Sequence, residues 1–97
     1  MKLRFTPRTV ADLEAIADGL TPKSPRGAGR VRAAILKTLE NLAIFPRMGR
    51  RQTTVGVRKI GVRKYPYLIF YAIDEQAQEI AILTIRHAAR RPEFKDL

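Results

Sequence analysis

Two apolar runs in the second half of the chain constrain its fold more than any other feature. Residues 67–73 and 80–85 are apolar on both alternating faces, and the polar stretch 74–78 separates them. Runs of this length are typical of strands that are buried on both sides of a sheet. A short polar loop between two such strands predicts a hairpin. We therefore expect the core to be built around two adjacent central strands.

The residues before this hairpin predict two further strands. Residues 2–5 alternate polar and apolar side chains, which indicates a short strand that is buried on one face. Residues 55–62 alternate in the same way, and the segment 63–66 then turns the chain into the first central strand. Short connections between the last three strands predict an antiparallel meander.

Two amphipathic helices are predicted between the first strand and the meander. The first begins after Thr6 as its N-cap and spans residues 7–19. The second spans residues 28–44 and ends before Pro46, because the residue before a proline disfavours the helical conformation. The segment 21–29 between them is rich in proline and glycine and predicts a loop. The acidic residues expected on or near the solvent side of the first helix are Asp12, Glu14 and Asp18.

The element order β-α-α-β-β-β predicts an α+β domain. An αα-hairpin is expected to cover one face of an antiparallel sheet, so that the apolar stripes of both helices form the core. With 97 residues, the chain fits a single domain. An apolar stripe that the sheet does not fully cover would leave a groove suited to an amphipathic helix of a partner.

Positive charge is concentrated in the middle of the chain. The formal net charge is +10, and residues 21–52 hold eight Lys and Arg against Glu40 alone. Such a concentration of positive charge attracts nucleic acid, the ribosome or an acidic protein.

With no Cys and one His, neither disulfides nor a metal site is expected, and no cofactor is predicted. The first residues lack a signal-peptide core and no apolar run could span a membrane, so a cytoplasmic location is expected.

In its element order and in four local segments the chain resembles the RelE/ParE superfamily of toxins. The segments are the first helix entry at 6–16, the second helix exit at 42–50, the strands and turn at 57–71, and the last strand end at 82–90. The sequence Tyr-Pro-Tyr-Leu-Ile-Phe-Tyr at 65–71 and His-Ala-Ala-Arg at 87–90 look closer to the ParE branch.

This resemblance implies the toxin half of a type II toxin–antitoxin system. An antitoxin with acidic or amphipathic segments would wrap the toxin and form a hetero-oligomer with it. RelE-like members bind the ribosomal A site and cleave mRNA, whereas ParE-like members poison DNA gyrase. A basic nucleic-acid-binding domain without toxicity is a third interpretation of the charge.

Three residues are the candidates for chemistry if the chain cleaves RNA. Cleavage by the 2′-OH requires a base, a cation that stabilises the phosphorane and a proton donor. His87, Arg86 and Arg58 could serve in these roles. The alternative interpretation of His87 is a packed or surface histidine that hydrogen-bonds the tail. The late aromatic of the chain is Phe94, which has no hydroxyl, and this departure from mRNA-cleaving relatives favours gyrase as the target.

A second group of residues is predicted to bind the target or phosphates. The group comprises Arg50, Arg51, Arg63, Lys64, Tyr65 and Arg90. The arginines at 47, 50 and 51 could equally bind an acidic antitoxin segment or form a solvated loop. Tyr67 and Tyr71 share a strand face with Ile69 and Ile73, so we expect them in or beside the core.

Overall fold

The chain forms two consecutive helices that cover a five-stranded sheet, as a computed structural model of residues 1–89 shows. In chain order the elements are β1 (Lys2–Phe5), α1 (Pro7–Leu20), α2 (Pro25–Ile44), β2 (Arg50–Arg51), β3 (Val57–Gly61), β4 (Tyr67–Asp74) and β5 (Glu79–His87). Within residues 1–89, neither helix is long and apolar enough to cross a membrane.

The strands lie in the order β1-β5-β4-β3-β2. The predicted meander is confirmed, because β3, β4 and β5 pair antiparallel. The sheet as a whole is mixed, since β1 pairs parallel to β5 after the two helices carry the chain across the sheet. The short strand β2 was not predicted, because two adjacent arginines carry no alternating apolar pattern. The α+β class with a helical hairpin on the sheet is confirmed.

The second helix begins earlier than the sequence pattern predicts. It starts at Pro25 and not at residue 28, because the Ser24 side chain accepts a hydrogen bond from the Gly27 N–H at 3.0 Å. A serine N-cap followed by proline is a typical helix start. The predicted end before Pro46 is confirmed.

The core lies between α2 and one face of the two central strands. The buried stripe of α2, predicted from its spacing, packs on the odd-numbered residues of β4 and on three isoleucines of β5. Those partners are Ile69, Tyr71, Ile80, Ile82 and Ile85. Tyr71 is fully buried and Tyr67 is partly buried against this core, as expected for both.

A bulge at Leu83 interrupts the alternation of β5. Phe70 pairs with Thr84 and Tyr71 pairs with Ile82, so Leu83 has no residue opposite it. An extra residue reverses the direction of every side chain that follows it. Ile85 therefore returns to the core, and Arg86 is directed to the opposite face of the sheet.

Side chains of α1 bind the backbone of β5 beside this bulge. The hydroxyls of Thr6 and Thr9 donate to the Ile82 carbonyl at 2.8 and 2.7 Å. The carboxylate of Asp12 accepts from the Ile85 N–H at 3.0 Å. Asp12 is thus half-buried against β5 instead of on or near the solvent side, whereas Glu14 and Asp18 are exposed as expected. These contacts satisfy backbone groups of β5 beyond the point where β1 ends.

Candidate functional site

The three candidate catalytic residues do not converge. Arg58 pairs across the strands with Tyr71, and His87 pairs with Tyr67, so both side chains lie on the helix-covered face. Tyr67 and Tyr71 lie four residue steps apart along β4, a distance of about 13 Å. Arg86 precedes His87 on the same strand and is directed to the other face of the sheet.

Arg58 of β3 forms hydrogen bonds with the backbone of the loop that follows α2. Its guanidinium donates to the carbonyls of Arg47 at 3.2 Å and Gly49 at 2.9 Å. The Tyr71 hydroxyl donates to the Pro46 carbonyl at 2.7 Å and accepts from the Gly49 N–H at 2.9 Å. Burial raises the pKa of the Tyr71 phenol, opposed by the Gly49 hydrogen bond and the Arg58 charge, so the phenol stays protonated as a donor. We call these contacts the Tyr71 clamp.

His87 is held by packing and by the backbone. Its ring lies edge-on to Tyr67, with 5.6 Å between the ring centroids and 77° between the planes. Its Nδ1 accepts a hydrogen bond from the Ala89 N–H at 3.1 Å. These contacts favour the interpretation of His87 as a packed histidine.

Basic residues gather on the sheet face opposite the helices. The guanidinium carbon of Arg86 lies 5.1 Å from the ring centroid of Phe70. Lys59 pairs directly with Phe70, and Arg50 pairs with Lys59, so their side chains share this face. We call Arg50, Lys59 and Arg86 the basic sheet face. Nowhere in residues 1–89 do three His, Asp or Glu side chains group to hold a metal ion.

The turn between β3 and β4 presents two exposed cations. Arg63 and Lys64 occupy its centre, where the Tyr65 N–H donates to the Val62 carbonyl at 3.2 Å. The turn lies at the end of the sheet where β5 ends, because Tyr67 pairs with the last residue of that strand. Tyr65 is partly buried against the core and Arg51 is exposed on the edge strand β2. Arg90, the remaining member of the predicted group, lies outside the described residues, as does Phe94.

Lys64 adopts a left-handed backbone conformation with φ at 72°. This conformation costs a residue with a side chain about 1–2 kcal/mol, whereas glycine adopts it freely at an entropic cost of about 0.5–1 kcal/mol. We expect Lys64→Gly to raise the free energy of unfolding by about 0.5–1 kcal/mol, measured by urea denaturation. Strain of this kind is retained at functional positions.

If the chain acts as the toxin that the resemblance implies, the stabilised Lys64→Gly protein should lose growth arrest. Gln78→Gly is the matched control, because Gln78 is also left-handed, with φ at 55°, and lies in the β4–β5 turn. It should gain less stability, since its side chain donates to the Glu75 carbonyl at 2.7 Å, and it should keep full toxicity. A Lys64→Gly protein with full toxicity would remove Lys64 from the target-binding group.

A groove of about 610 Å³ runs between α1 and α2. Its lining is mainly apolar, and Leu36 and Phe5 are 47% and 42% exposed there. Glu14 and Arg32 are the charged side chains among the lining residues. The groove lies where the apolar stripes of the two helices are not covered by the sheet, as expected for the binding site of a partner helix.

Comparison with known proteins assigns the family. Residues 3–92 match the model of the ParE toxin of the type II toxin–antitoxin system parDE. The chain is 36% identical to toxin RelE2 of Caulobacter vibrioides, over 89% of this chain and 93% of the relative. A solved chain of the chromosomal ParDE system of P. aeruginosa superposes with a TM-score of 0.77 at 27% identity, covering 90% of this chain and 95% of that one.

The fold also occurs in the intact RelBE toxin–antitoxin complex of E. coli. A chain of that complex superposes with a TM-score of 0.71 at 18% identity, covering 92% of this chain and 98% of that one, which is a likeness of fold alone. The resemblance to the RelE/ParE superfamily is therefore confirmed, and the interpretation as a non-toxic nucleic-acid-binding domain has no support from these relatives. The chain belongs to the ParE toxin family of type II toxin–antitoxin systems.

Proposed function

We propose that this toxin arrests growth by binding DNA gyrase and that it performs no chemistry of its own. The observation that carries the proposal is the separation of His87, Arg86 and Arg58. Acid–base catalysis needs its groups within hydrogen-bond reach of one substrate. Here Arg58 is occupied by two backbone carbonyls, His87 packs on Tyr67, and Arg86 is directed to the other face. The match to the ParE family model supports the same target.

Ribosome-dependent mRNA cleavage is the second candidate function. The basic sheet face favours it, because Lys59 and Arg86 flank Phe70 on one side of the sheet. Such cations could stabilise the charge of a phosphorane, while the phosphate backbone of RNA would bind to them. On this alternative, Arg86 would be the essential residue and His87 would lie on the wrong face.

A gyrase assay with the purified toxin tests the proposal. We expect the toxin to block supercoiling or to stabilise cleaved DNA, and we expect His87→Ala to act as strongly as the wild type. The matched assay is mRNA cleavage on translating ribosomes, with Arg86→Ala as its control. Normal supercoiling at saturating toxin, together with codon-register cleavage that Arg86→Ala abolishes, would replace gyrase poisoning by the second candidate.

We further propose that an amphipathic helix of the antitoxin occupies the groove between α1 and α2. The apolar lining offers a helix the contacts at i, i+3, i+4 and i+7 that such grooves recognise. Arg32 and the basic solvent side of α2 favour an acidic helix. Solved relatives of the same fold come from toxin–antitoxin systems, two of them as toxin–antitoxin complexes, which supports an antitoxin partner and a hetero-oligomer.

A further inference from the structure

The end of α2 and the loop after it carry three apolar side chains that are largely exposed. Ile44 is 67% exposed, Phe45 is 62% exposed and Met48 is 48% exposed. We call these three residues the helix-exit patch. Contiguous exposed apolar side chains are characteristic of interaction sites, because water contact with them is unfavourable.

The backbone under this patch is held in place. The Phe45 N–H donates to the Asn41 carbonyl at 2.8 Å, and the Met48 N–H donates to the Phe45 carbonyl at 3.1 Å. The Tyr71 clamp binds the carbonyl of Pro46 and both backbone groups of Gly49. The exposed side chains are therefore presented by a fixed loop, and presentation of this kind lowers the entropic cost of binding.

Arginines surround the patch in the chain. Arg47 forms an ion pair with Glu75 of the β4–β5 turn. Arg50 and Arg51 are exposed, and no carboxylate of residues 1–89 lies within ion-pair distance of either. A complementary partner must offer apolar side chains flanked by carboxylates. Such chemistry belongs to an acidic protein surface: a nucleic acid would satisfy the arginines and could stack a base on Phe45, but it would leave Ile44 and Met48 in water.

Arg51 pairs with Arg58 and therefore lies on the helix-covered face, whereas Arg50 belongs to the basic sheet face. We propose that the helix-exit patch, with Arg51, is the surface with which this toxin binds an acidic, apolar surface of its target protein. The inference rests on the proposed function, since it presumes that the target is a protein. None of the residues that line the α1–α2 groove belongs to the patch, so the target and the antitoxin would use separable surfaces.

A crossed set of variants tests this separation. Phe45→Ser removes an aromatic side chain of the patch, and Arg51→Glu reverses a flanking charge. Leu36→Asp alters the groove alone, and Val10→Ser removes an exposed apolar side chain that lies in neither surface. Each variant is measured for growth arrest in cells, gyrase inhibition and antitoxin affinity.

The patch variants should weaken gyrase inhibition at least tenfold, a loss typical of an aromatic or arginine side chain at the centre of an interface. Their antitoxin affinity should stay unchanged, which would show that they are folded. Leu36→Asp should give the reverse result and Val10→Ser should match the wild type. Full inhibition by Phe45→Ser and Arg51→Glu would overturn the inference. If the wild type itself leaves gyrase unaffected, the proposed function fails, and the growth assay then tests the patch. Loss of growth arrest by Phe45→Ser would support a different protein target. Growth arrest by Phe45→Ser as strong as that of the wild type would overturn the inference.

Discussion

Replacement of Gly49 by alanine is expected to lower the free energy of unfolding by about 2–4 kcal/mol, from overpacking and from lost hydrogen bonds. A β-carbon at this position would lie 2.5 Å from the Tyr71 hydroxyl oxygen and 2.7 Å from its Cε1. The Tyr71 ring cannot move aside, because it is fully buried and its hydroxyl is bound to Pro46. Urea denaturation of the purified toxin measures the change.

Gly61→Ala is the matched control for this prediction. A β-carbon at Gly61 meets no atom within 4 Å, so the change should alter the free energy of unfolding by no more than about 0.5 kcal/mol. Tyr71→Phe supplies the second half of a double-mutant cycle. Once the hydroxyl is absent, Gly49→Ala should cost less than it does in the wild type, because the closest contact has gone. Equal costs in the two backgrounds, or a Gly49→Ala protein as stable as the wild type, would contradict the role of the clamp.

The features that the sequence predicted are those that depend on periodicity. The apolar stripe of α2 repeats over several turns, so it predicts both the helix and its buried side. The two-faced apolar runs of β4 and β5 predict strands that are buried on both sides. The start of α2 was missed although Ser24 and Pro25 carried the signal, because Gly27 and Gly29 outweighed it. The strand β2 has two residues and its only support is pairing with β3, which no local pattern reveals.

The candidate site was harder to predict because it depends on register. Successive residues of a strand point to opposite faces, so the sequence alone predicts that Arg86 and His87 lie on different faces of the sheet. The sequence does not reveal which sheet face Arg86 shares with other residues, because the bulge at Leu83 reverses the direction of its side chain. The bulge itself depends on a tertiary contact, since the Thr6 hydroxyl at the start of α1 donates to the Leu83 carbonyl. The Tyr71 clamp joins Gly49 to a residue 22 positions later, so only the folded chain brings its members together.

The groove gives the other large expected effect. Leu36→Asp should weaken antitoxin binding at least 100-fold, which corresponds to about 2.7 kcal/mol. About 1.5 kcal/mol follows from the lost apolar contact, and the rest follows from burying a carboxylate against an acidic helix. Leu36 is 47% exposed in the free toxin, so its replacement should disturb the fold little. Isothermal titration of the purified antitoxin into the toxin measures the affinity.

Val10→Asp is the control, because it places the same carboxylate at a 45% exposed position on α1 outside the groove. Its antitoxin affinity should stay within a factor of about three of the wild type, less than 1 kcal/mol. In cells, Leu36→Asp should arrest growth even when the antitoxin is co-expressed, whereas Val10→Asp should be neutralised. Neutralisation of Leu36→Asp at normal antitoxin levels would place the antitoxin helix elsewhere. A steep salt dependence of the remaining affinity would then show that the contact is electrostatic, as binding to the basic side of α2 requires.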